Sequence, residues 1–370
     1  MTELRAAPRE LGAPTRTRLE GVDVARALAV LGMLAVNVGP RDAEGLAAAF
    51  FRIPHGRASL LFVLLAGVGI SLLTRRARLP GGSLPWPTLL WRAALLLLGG
   101  LALQLLDHDV TVILPTYAVL FLLAVPLVRA PDRALLVAAG AAVVAGPLAW
   151  LTVQTATGAT FDLAPAELAD APGEVVRTIL LTGPYPVITW LAPFLLGMWV
   201  GRQDLAARDV QRRLLVGGSV VALAAVTTSR LLVRELGEPG ERLGPDRLVS
   251  AVAHSQMPLW LVGGAGAALA VLGAALLLVP RLSTRPGART VVSALGATGR
   301  LSLTIYVAHL VVLALLVRPG PETAAEGVVI TLLMAAAAVV LAAAWTARFG
   351  QGPLERLLRL PRTSAPHGPR

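Results

Sequence analysis

The chain has 370 residues, of which 55% are hydrophobic and only 15% are charged, and its mean hydropathy is +0.70. These values exclude an ordinary soluble globular protein and indicate an integral membrane protein. The net charge of +11 comes from 33 arginines without a lysine, which in a membrane protein is first a topology signal, so we do not expect nucleic-acid binding.

Residues 1–20 contain four arginines and two prolines but no apolar run, so we expect a cytoplasmic segment without a cleavable signal peptide. A bilayer core of ~30 Å is crossed by about 20 apolar residues of helix. Apolar stretches bounded by Arg, Pro and Gly predict ten spans, near 22–38, 57–74, 88–106, 112–128, 133–152, 186–201, 213–232, 258–279, 300–318 and 327–347. The sequence therefore predicts an all-α, polytopic integral membrane helix bundle over residues 21–350 and a cytoplasmic tail over 351–370.

The arginines support this count independently. With the N-terminus inside, 23 arginines fall in predicted cytoplasmic segments, 9 fall in outer segments and Arg26 lies within the first span. Positive charge is retained on the cytoplasmic side, and a miscounted helix would invert half of the loops and destroy this asymmetry. We therefore predict a multi-pass protein of the plasma membrane with both termini in the cytoplasm.

The first span carries polar residues where each one is energetically expensive. Asp23 and Arg26 are three residues apart and share a helix face, which suits an ion pair. Asn37 follows Arg26 by eleven residues, about 16 Å further along the same face. This arrangement predicts either a polar stripe that serves a ligand, or an anchor at the inner interface plus a hydrogen bond to a neighbouring helix.

The entrance to the second span contains His55, Arg57 and Ser59 close together. An imidazole beside a guanidinium and a hydroxyl at a helix start is suited to general base chemistry on an outer substrate. An exposed loop histidine without a catalytic role is the alternative.

Three further segments contain histidine. His108 stands between Asp107 and Asp109, and an imidazole with two carboxylates could bind a divalent cation, but no second His or carboxylate lies at ligand spacing, so we predict a solvated turn. His254 precedes the eighth span on the same side as His55. In the ninth span, one face carries side chains that either line a cavity or bond helix to helix, namely Ser302, Tyr306 and His309.

Several stretches together resemble a known family. They are residues 18–37 (RLEGVDVARALAVLGMLAVN), 56–67 (GRASLLFVLLAG), 113–117 (ILPTY), 295–306 (LGATGRLSLTIY) and 352–355 (GPLE). They are similar to the bacterial heparan-alpha-glucosaminide N-acetyltransferase-like proteins and to the related inner-membrane family called domain of unknown function 418. The resemblance extends over nearly the whole chain.

Membership of this transmembrane acyltransferase superfamily implies transfer of an acyl group from a cytoplasmic donor such as acetyl-CoA to a sugar across the membrane. By the resemblance, Asp23 and Arg26 match the family's first-helix Asp and Arg, and Asn37 stands eleven residues after Arg26, where the wider superfamily has His or Asn. We expect these three residues to bind the donor. His55 is the only candidate from the loop before the second span for the family's catalytic histidine, and it departs from the pattern because it lies directly beside Gly56, whereas the family's histidine stands several residues earlier.

We therefore expect an acyl-CoA-dependent, membrane-bound acyltransferase that acts on an extracytoplasmic sugar or small acceptor. His55 would remove the acceptor's proton or carry the acyl group, and Arg57 would stabilise developing negative charge. Arg26 would meet the donor's phosphates and Asp23 would orient it. The alternatives are a secondary transporter or exporter that uses the polar stripe as its path, and a non-catalytic accessory membrane protein.

Overall fold

The structure is a computed structural model that describes residues 19–39, 45–158, 163–240 and 242–360. Within these ranges the chain is helical and has no β-strand. Its α-helices are α1 (Glu20–Val38), α2 (Gly45–Arg52), α3 (Arg57–Leu73), α4 (Trp86–Gln104), α5 (Leu114–Leu127), α6 (Asp132–Ala156), α7 (Pro172–Arg177), α8 (Val187–Val200), α9 (Arg208–Leu236), α10 (Pro258–Leu282), α11 (Pro286–Arg300), α12 (Ser302–Val312), α13 (Ala324–Phe349) and α14 (Pro353–Leu357). The predicted all-α membrane bundle is confirmed.

Each of the ten predicted spans overlaps a helix, but the helices differ in length. In the described ranges, seven are long and apolar enough to cross a membrane, and two pairs bent by 60° and 79° would raise that number to nine. One pair joins 172–182 to α8, and the other joins α11 to the segment 302–317. The expected ten requires both bent pairs and α5, which has only 14 residues.

The short helix α8 lies inside the bundle, where longer helices surround it and it does not have to span the bilayer against lipid. On α8, Trp190 and Phe194 are fully buried, and the helix packs between α3 and α6. Gly67 of α3 and Gly197 of α8 lie against each other's backbones, so a side chain at either position would overlap carbonyl oxygens. In contrast, α9 and α13 are mostly exposed at the periphery, where the bilayer would cover them.

Three helices, α2, α7 and α11, lie between predicted spans, where loops were expected, and α2 and α11 are the longer two. The first, α2, occupies part of the connection between the first two spans. The second, α11, lies in the predicted cytoplasmic loop 281–299, where its Val292 is buried with Val24 and Val279. Both are short amphipathic elements, which a search for long apolar runs does not detect.

Helix α1 occupies the centre of the bundle and packs against α3, α10, α11, α12 and α13. Its two ends therefore organise two regions, which we call the Asp23 end and the Asn37 end. At the Asp23 end, Gly299 of α11 lies against the backbone of Asp23, and α12 begins three residues later. The segment 353–358 holds this start of α12, because Glu355 accepts the N–H groups of Leu303 (2.9 Å) and Thr304 (3.0 Å). The Asn37 end contains the cavities described next.

Candidate functional site

A cavity of about 1210 Å³ lies at the Asn37 end, between α1, α2, α9 and the segment before α10. We call it the main cavity. It is lined by the predicted site residues Asn37, His55, Arg57 and His254. Asn37 also lines a side cavity of about 510 Å³ and a small cavity of about 30 Å³, so the three cavities meet at this residue.

His55 is brought into the main cavity by the tight connection between α2 and α3. Gly56 has a left-handed φ of +70°, and a Cβ at this position would lie 3.0 Å from both Ala253 Cβ and Trp260 Nε1. Glycine is favoured where φ is positive and another segment approaches closely. The adjacency of His55 to Gly56 therefore has a structural reason, since the glycine presses this turn against residues 253–260.

His254 lies beside His55, with a ring-centroid separation of 5.3 Å. The imidazole of His254 is surrounded by aromatic rings, with centroids 5.8 Å away for Tyr185, 6.2 Å for Trp190 and 5.6 Å for Trp260. The structure thus pairs two histidines that are 199 positions apart in the chain. His254 lines both the main and the small cavity.

The position of His254 depends on a buried glutamine two residues later. Both residues have left-handed backbone, with φ of 60° at His254 and 63° at Gln256. The Gln256 Oε1 accepts hydrogen bonds from Thr189 Oγ1 (2.8 Å) and Trp190 Nε1 (3.1 Å), and its Nε2 donates to the Pro184 carbonyl (3.0 Å). Such strained backbone persists only where its surroundings hold it, and it is concentrated at functional sites.

Arg57 lines the main cavity, but part of its guanidinium is engaged by the protein. Its Nη1 donates to the carbonyls of Arg52 (3.3 Å) and Ile53 (3.0 Å) at the end of α2. This contact fixes the α2–α3 turn that carries His55. A guanidinium has five N–H donors, so the contact uses only part of its capacity.

Asn37 takes part in a buried polar chain that links α1 to α12. Its Nδ2 donates to His309 Nε2 (3.0 Å), the His309 ring lies 5.2 Å from the Tyr306 ring, and Tyr306 Oη accepts the Ile113 N–H (3.3 Å). Tyr306 also lines the small cavity. The predicted hydrogen bond from Asn37 to a neighbouring helix is therefore present, and it coexists with a position on the cavity wall.

Ser302 is separated from these residues. It lies two turns before His309 on α12, about 10 Å toward the Asp23 end, and lines none of the three cavities in the described structure. The i, i+4, i+7 spacing placed it correctly on the face of Tyr306 and His309, but the cavities do not extend that far.

Asp23 and Arg26 form the predicted pair, with 3.2 Å between Arg26 Nη1 and Asp23 Oδ1. The pair lies at the opposite end of α1 from Asn37. Between them, the shared helix face carries the buried apolar residues Val30 and Met33. The described residues thus show two separate polar sites on α1, divided by apolar residues on the face that they share.

In the Asp107-His108-Asp109 turn the prediction of a solvated turn is wrong for His108, whose side chain is held inside the protein. His108 is buried, its Nε2 donates to the Leu103 carbonyl (3.0 Å), and its Nδ1 accepts the Val110 N–H (3.1 Å). Both aspartates pair with Arg318, Asp107 at 3.0 Å. Burial lowers the pKa of His108 below its ordinary value, although Asp107 and Asp109 oppose this shift. No group of three or more metal-binding side chains occurs in the described part of the chain.

Two protein families match this chain, and together they cover most of its length. The family described as "Heparan-alpha-glucosaminide N-acetyltransferase, catalytic" matches residues 18–229, more than half of the chain. The chain belongs to this family. A second match, "Protein of unknown function (DUF418)", covers residues 244–361. The predicted resemblance is therefore confirmed, while no curated protein matches the chain.

The two matched regions meet at the main cavity of this acetyltransferase family member. His55 belongs to the first region and His254 to the second, and their rings are neighbours. Three residues of the site, Tyr185, Trp260 and Gln256, are not indicated by any sequence pattern. Aromatic residues and glutamine in apolar segments give no distinguishing pattern, so only the packing reveals them.

Proposed function

We propose that the protein transfers an acyl group, acetyl in the simplest case, from cytoplasmic acyl-CoA to an extracytoplasmic sugar or small acceptor. Membership of the acetyltransferase family supports the reaction class. The observation that carries the assignment of the site is the presence of His55 beside His254 in a cavity large enough for an acceptor. Small-molecule sites are concave and combine apolar walls with a few convergent polar groups.

In this proposal, His55 acts on the acceptor in the main cavity. Its imidazole takes the proton from the acceptor's hydroxyl or amine as the new bond to the acyl carbon forms, the C–S bond of the thioester breaks, and the thiolate of CoA receives a proton. Alternatively, His55 carries the acyl group between the two steps. The N–H groups of Arg57 that do not bind α2 stabilise the negative charge on the carbonyl oxygen.

The donor would bind from the Asp23 end, where Arg26 supplies a positive charge for a phosphate and Asp23 holds the guanidinium. To reach the Asn37 end, the thioester would have to pass Val30 and Met33, so donor binding requires an opening wider than the small cavity of about 30 Å³. Acyl-CoA binding at Arg26 therefore requires that the guanidinium exchange part of its contact with Asp23 for the ligand.

The orientation of these two ends follows from the arginine asymmetry of the sequence. We propose that the Asn37 end faces the outside of the plasma membrane and that both termini are cytoplasmic. Reporters active on one side of the membrane, fused at residues 108 and 208, should then give opposite results. The same result at both positions would show that the number of spans between them is wrong.

The test of the reaction uses the purified full chain in lipid nanodiscs, with acetyl-CoA and a panel of amino sugars and neutral sugars. We expect His55→Ala to reduce turnover by at least 10²-fold, because a positioned acid–base group contributes about 10²–10⁴-fold. His367→Ala is the control, since His367 lies in the tail outside the described residues. Thermal unfolding of both variants separates a folding defect from a chemical one.

Normal turnover in a stable His55→Ala protein would refute the assignment, and His254→Ala would then be the next variant to test. If wild-type protein neither binds nor consumes acyl-CoA of any chain length, a transporter or a non-catalytic accessory protein replaces the enzyme as the proposed function.

A further inference from the structure

The charged residues on the wall of the main cavity are almost all basic. Among the described residues that line it, five arginines face one acidic side chain, that of Glu238. The arginines are Arg52, Arg57, Arg230, Arg234 and Arg247. A concave site lined by charges of one sign focuses the electrostatic potential and attracts ligands of the opposite sign.

These arginines lie on the side of the membrane that the sequence predicts to hold few arginines. Nine arginines lie in the segments predicted to be extracytoplasmic, where membrane insertion disfavours them, and five of those nine line this one cavity. A sixth, Arg318, is held by Asp107 and Asp109. The outer arginines are thus concentrated where a ligand would bind.

The structure divides the five arginines by what they contact. Arg57 donates to the carbonyls that end α2, and Arg247 donates to the carbonyls of Arg242 and Gly240. Arg52, Arg230 and Arg234 are exposed, and their guanidinium groups make no hydrogen bond or ion pair within the described ranges. These three guanidiniums are therefore available to a ligand.

Arg230 and Arg234 lie one helical turn apart near the end of α9. Between Arg213 and Arg230, α9 has sixteen residues without a charge, and the rise of about 25 Å between these two arginines is close to the thickness of a hydrocarbon core. Most of this helix is exposed at the bundle periphery. Arg230 and Arg234 consequently lie at the height of lipid headgroups.

The wall near these arginines is apolar. Val226 lies one turn before Arg230, and Val36 and Phe51 line the same cavity from α1 and α2. The cavity therefore offers basic groups at headgroup height and apolar surface beside them. This combination fits a molecule that carries an anionic group and an apolar or sugar portion.

We propose that the main cavity binds the acyl acceptor through an anionic, phosphate-type group, held by Arg52, Arg230 and Arg234. This inference rests on the proposed function and names the acceptor's chemical class. Guanidinium groups bind phosphate oxygens in pairs of parallel hydrogen bonds, so three of them orient the acceptor as well as attract it. The anionic group belongs either to a lipid of the outer leaflet or to a soluble sugar phosphate.

Binding is measured without turnover, on the full chain in nanodiscs of phosphatidylcholine. The probes form two matched pairs, dioctanoyl phosphatidylglycerol against dioctanoyl phosphatidylcholine, and glucose 6-phosphate against glucose. We expect the anionic member of at least one pair to bind about tenfold or more tightly than its partner, with an affinity that falls as NaCl is raised. Preference in the first pair identifies a lipid acceptor, and preference in the second identifies a soluble one.

The double substitution Arg230→Gln/Arg234→Gln should remove about tenfold of that affinity. Its matched control is Arg212→Gln/Arg213→Gln, which makes the same charge change at the other end of α9, away from the cavities, and should leave binding unchanged. Equal binding of anionic and neutral probes, or equal affinity in both double variants, would overturn the proposal.

The two proposals fail in different ways. If anions bind as expected but no acyl transfer occurs, the proposed function fails and the anion site stands. If His55-dependent transfer to an acceptor that carries a phosphate group proceeds unchanged in Arg230→Gln/Arg234→Gln, the anion site fails and the proposed function stands.

Discussion

The two ends of α1 differ in how closely the neighbouring helices pack against them. At the Asp23 end, Gly21 lies against the backbone of α10, and Gly299 of α11 lies against the backbone of Asp23. At the Asn37 end, three cavities surround a single asparagine. One end is packed backbone to backbone, while the other leaves volume for a ligand.

This difference shows how a membrane bundle can hold an open site without losing its shape. Helices in a bilayer associate mainly through close packing of small residues, because lipid is as apolar as their side chains. Contacts at the Asp23 end fix the positions of α1, α10 and α11. The Asn37 end can then retain its cavities and the strained backbone at His254 and Gln256.

The strongest test of this comparison removes a close contact at the packed end. A Cβ at Gly299 would overlap the Asp23 carbonyl, so we expect Gly299→Ala to lower the free energy of unfolding by about 3 kcal/mol. Gly217→Ala on α9 is the control, because a Cβ there meets no atom within 4 Å, and it should gain about 0.5–1 kcal/mol of helix propensity. Thermal unfolding in detergent measures both, and equal effects would show that the Asp23 end is not tightly packed.

A smaller effect is expected from the ion pair at the same end. Asp23 is buried and Arg26 is partly exposed, so Asp23→Asn and Arg26→Gln, each of which removes one charge of the pair, should each cost about 2 kcal/mol. The double variant should be less destabilised than the sum of the two single variants. Strict additivity in this cycle would mean that the residues act separately and that Arg26 is only an interface anchor.

The smallest effect concerns His108, at the Asn37 end. The pKa of its imidazole is lowered in the folded state, so the unfolded chain binds a proton more readily. The contribution of neutral His108 to the free energy of unfolding should therefore be fully present above about pH 6.5. It should fall as the pH drops below that value, by at most about 1.4 kcal/mol per pH unit. Nearby Asp107 and Asp109 favour the protonated form, Arg318 opposes it, and together they moderate the effect.

Unfolding temperatures of wild type and His108→Gln from pH 5.5 to 7.5 measure this contribution. The wild type should lose more stability on acidification than the variant. Parallel curves would show that His108 does not titrate differently in the folded and unfolded states.

The sequence by itself determined the class of protein, the approximate positions of its helices and its family. These features depend on apolar runs longer than a bilayer is thick, on the arginine bias between loops, and on local motifs such as residues 18–37. The Asp23–Arg26 pair belongs with them, because an i, i+3 contact is decided within one helix. Short amphipathic helices such as α2 and α11 were missed since they have no long apolar run.

Only the tertiary structure decided what surrounds each candidate residue. The pairing of His55 with His254, the bond between Asn37 and His309, and the basic wall formed by Arg52 and Arg230 all join residues far apart in the chain. No local spacing encodes such contacts, because they depend on which helix faces meet when α1, α3, α9 and α12 pack. For the same reason Ser302 shares a helix face with Tyr306 yet lies away from the cavities, since periodicity assigns a face but packing decides where that face is open.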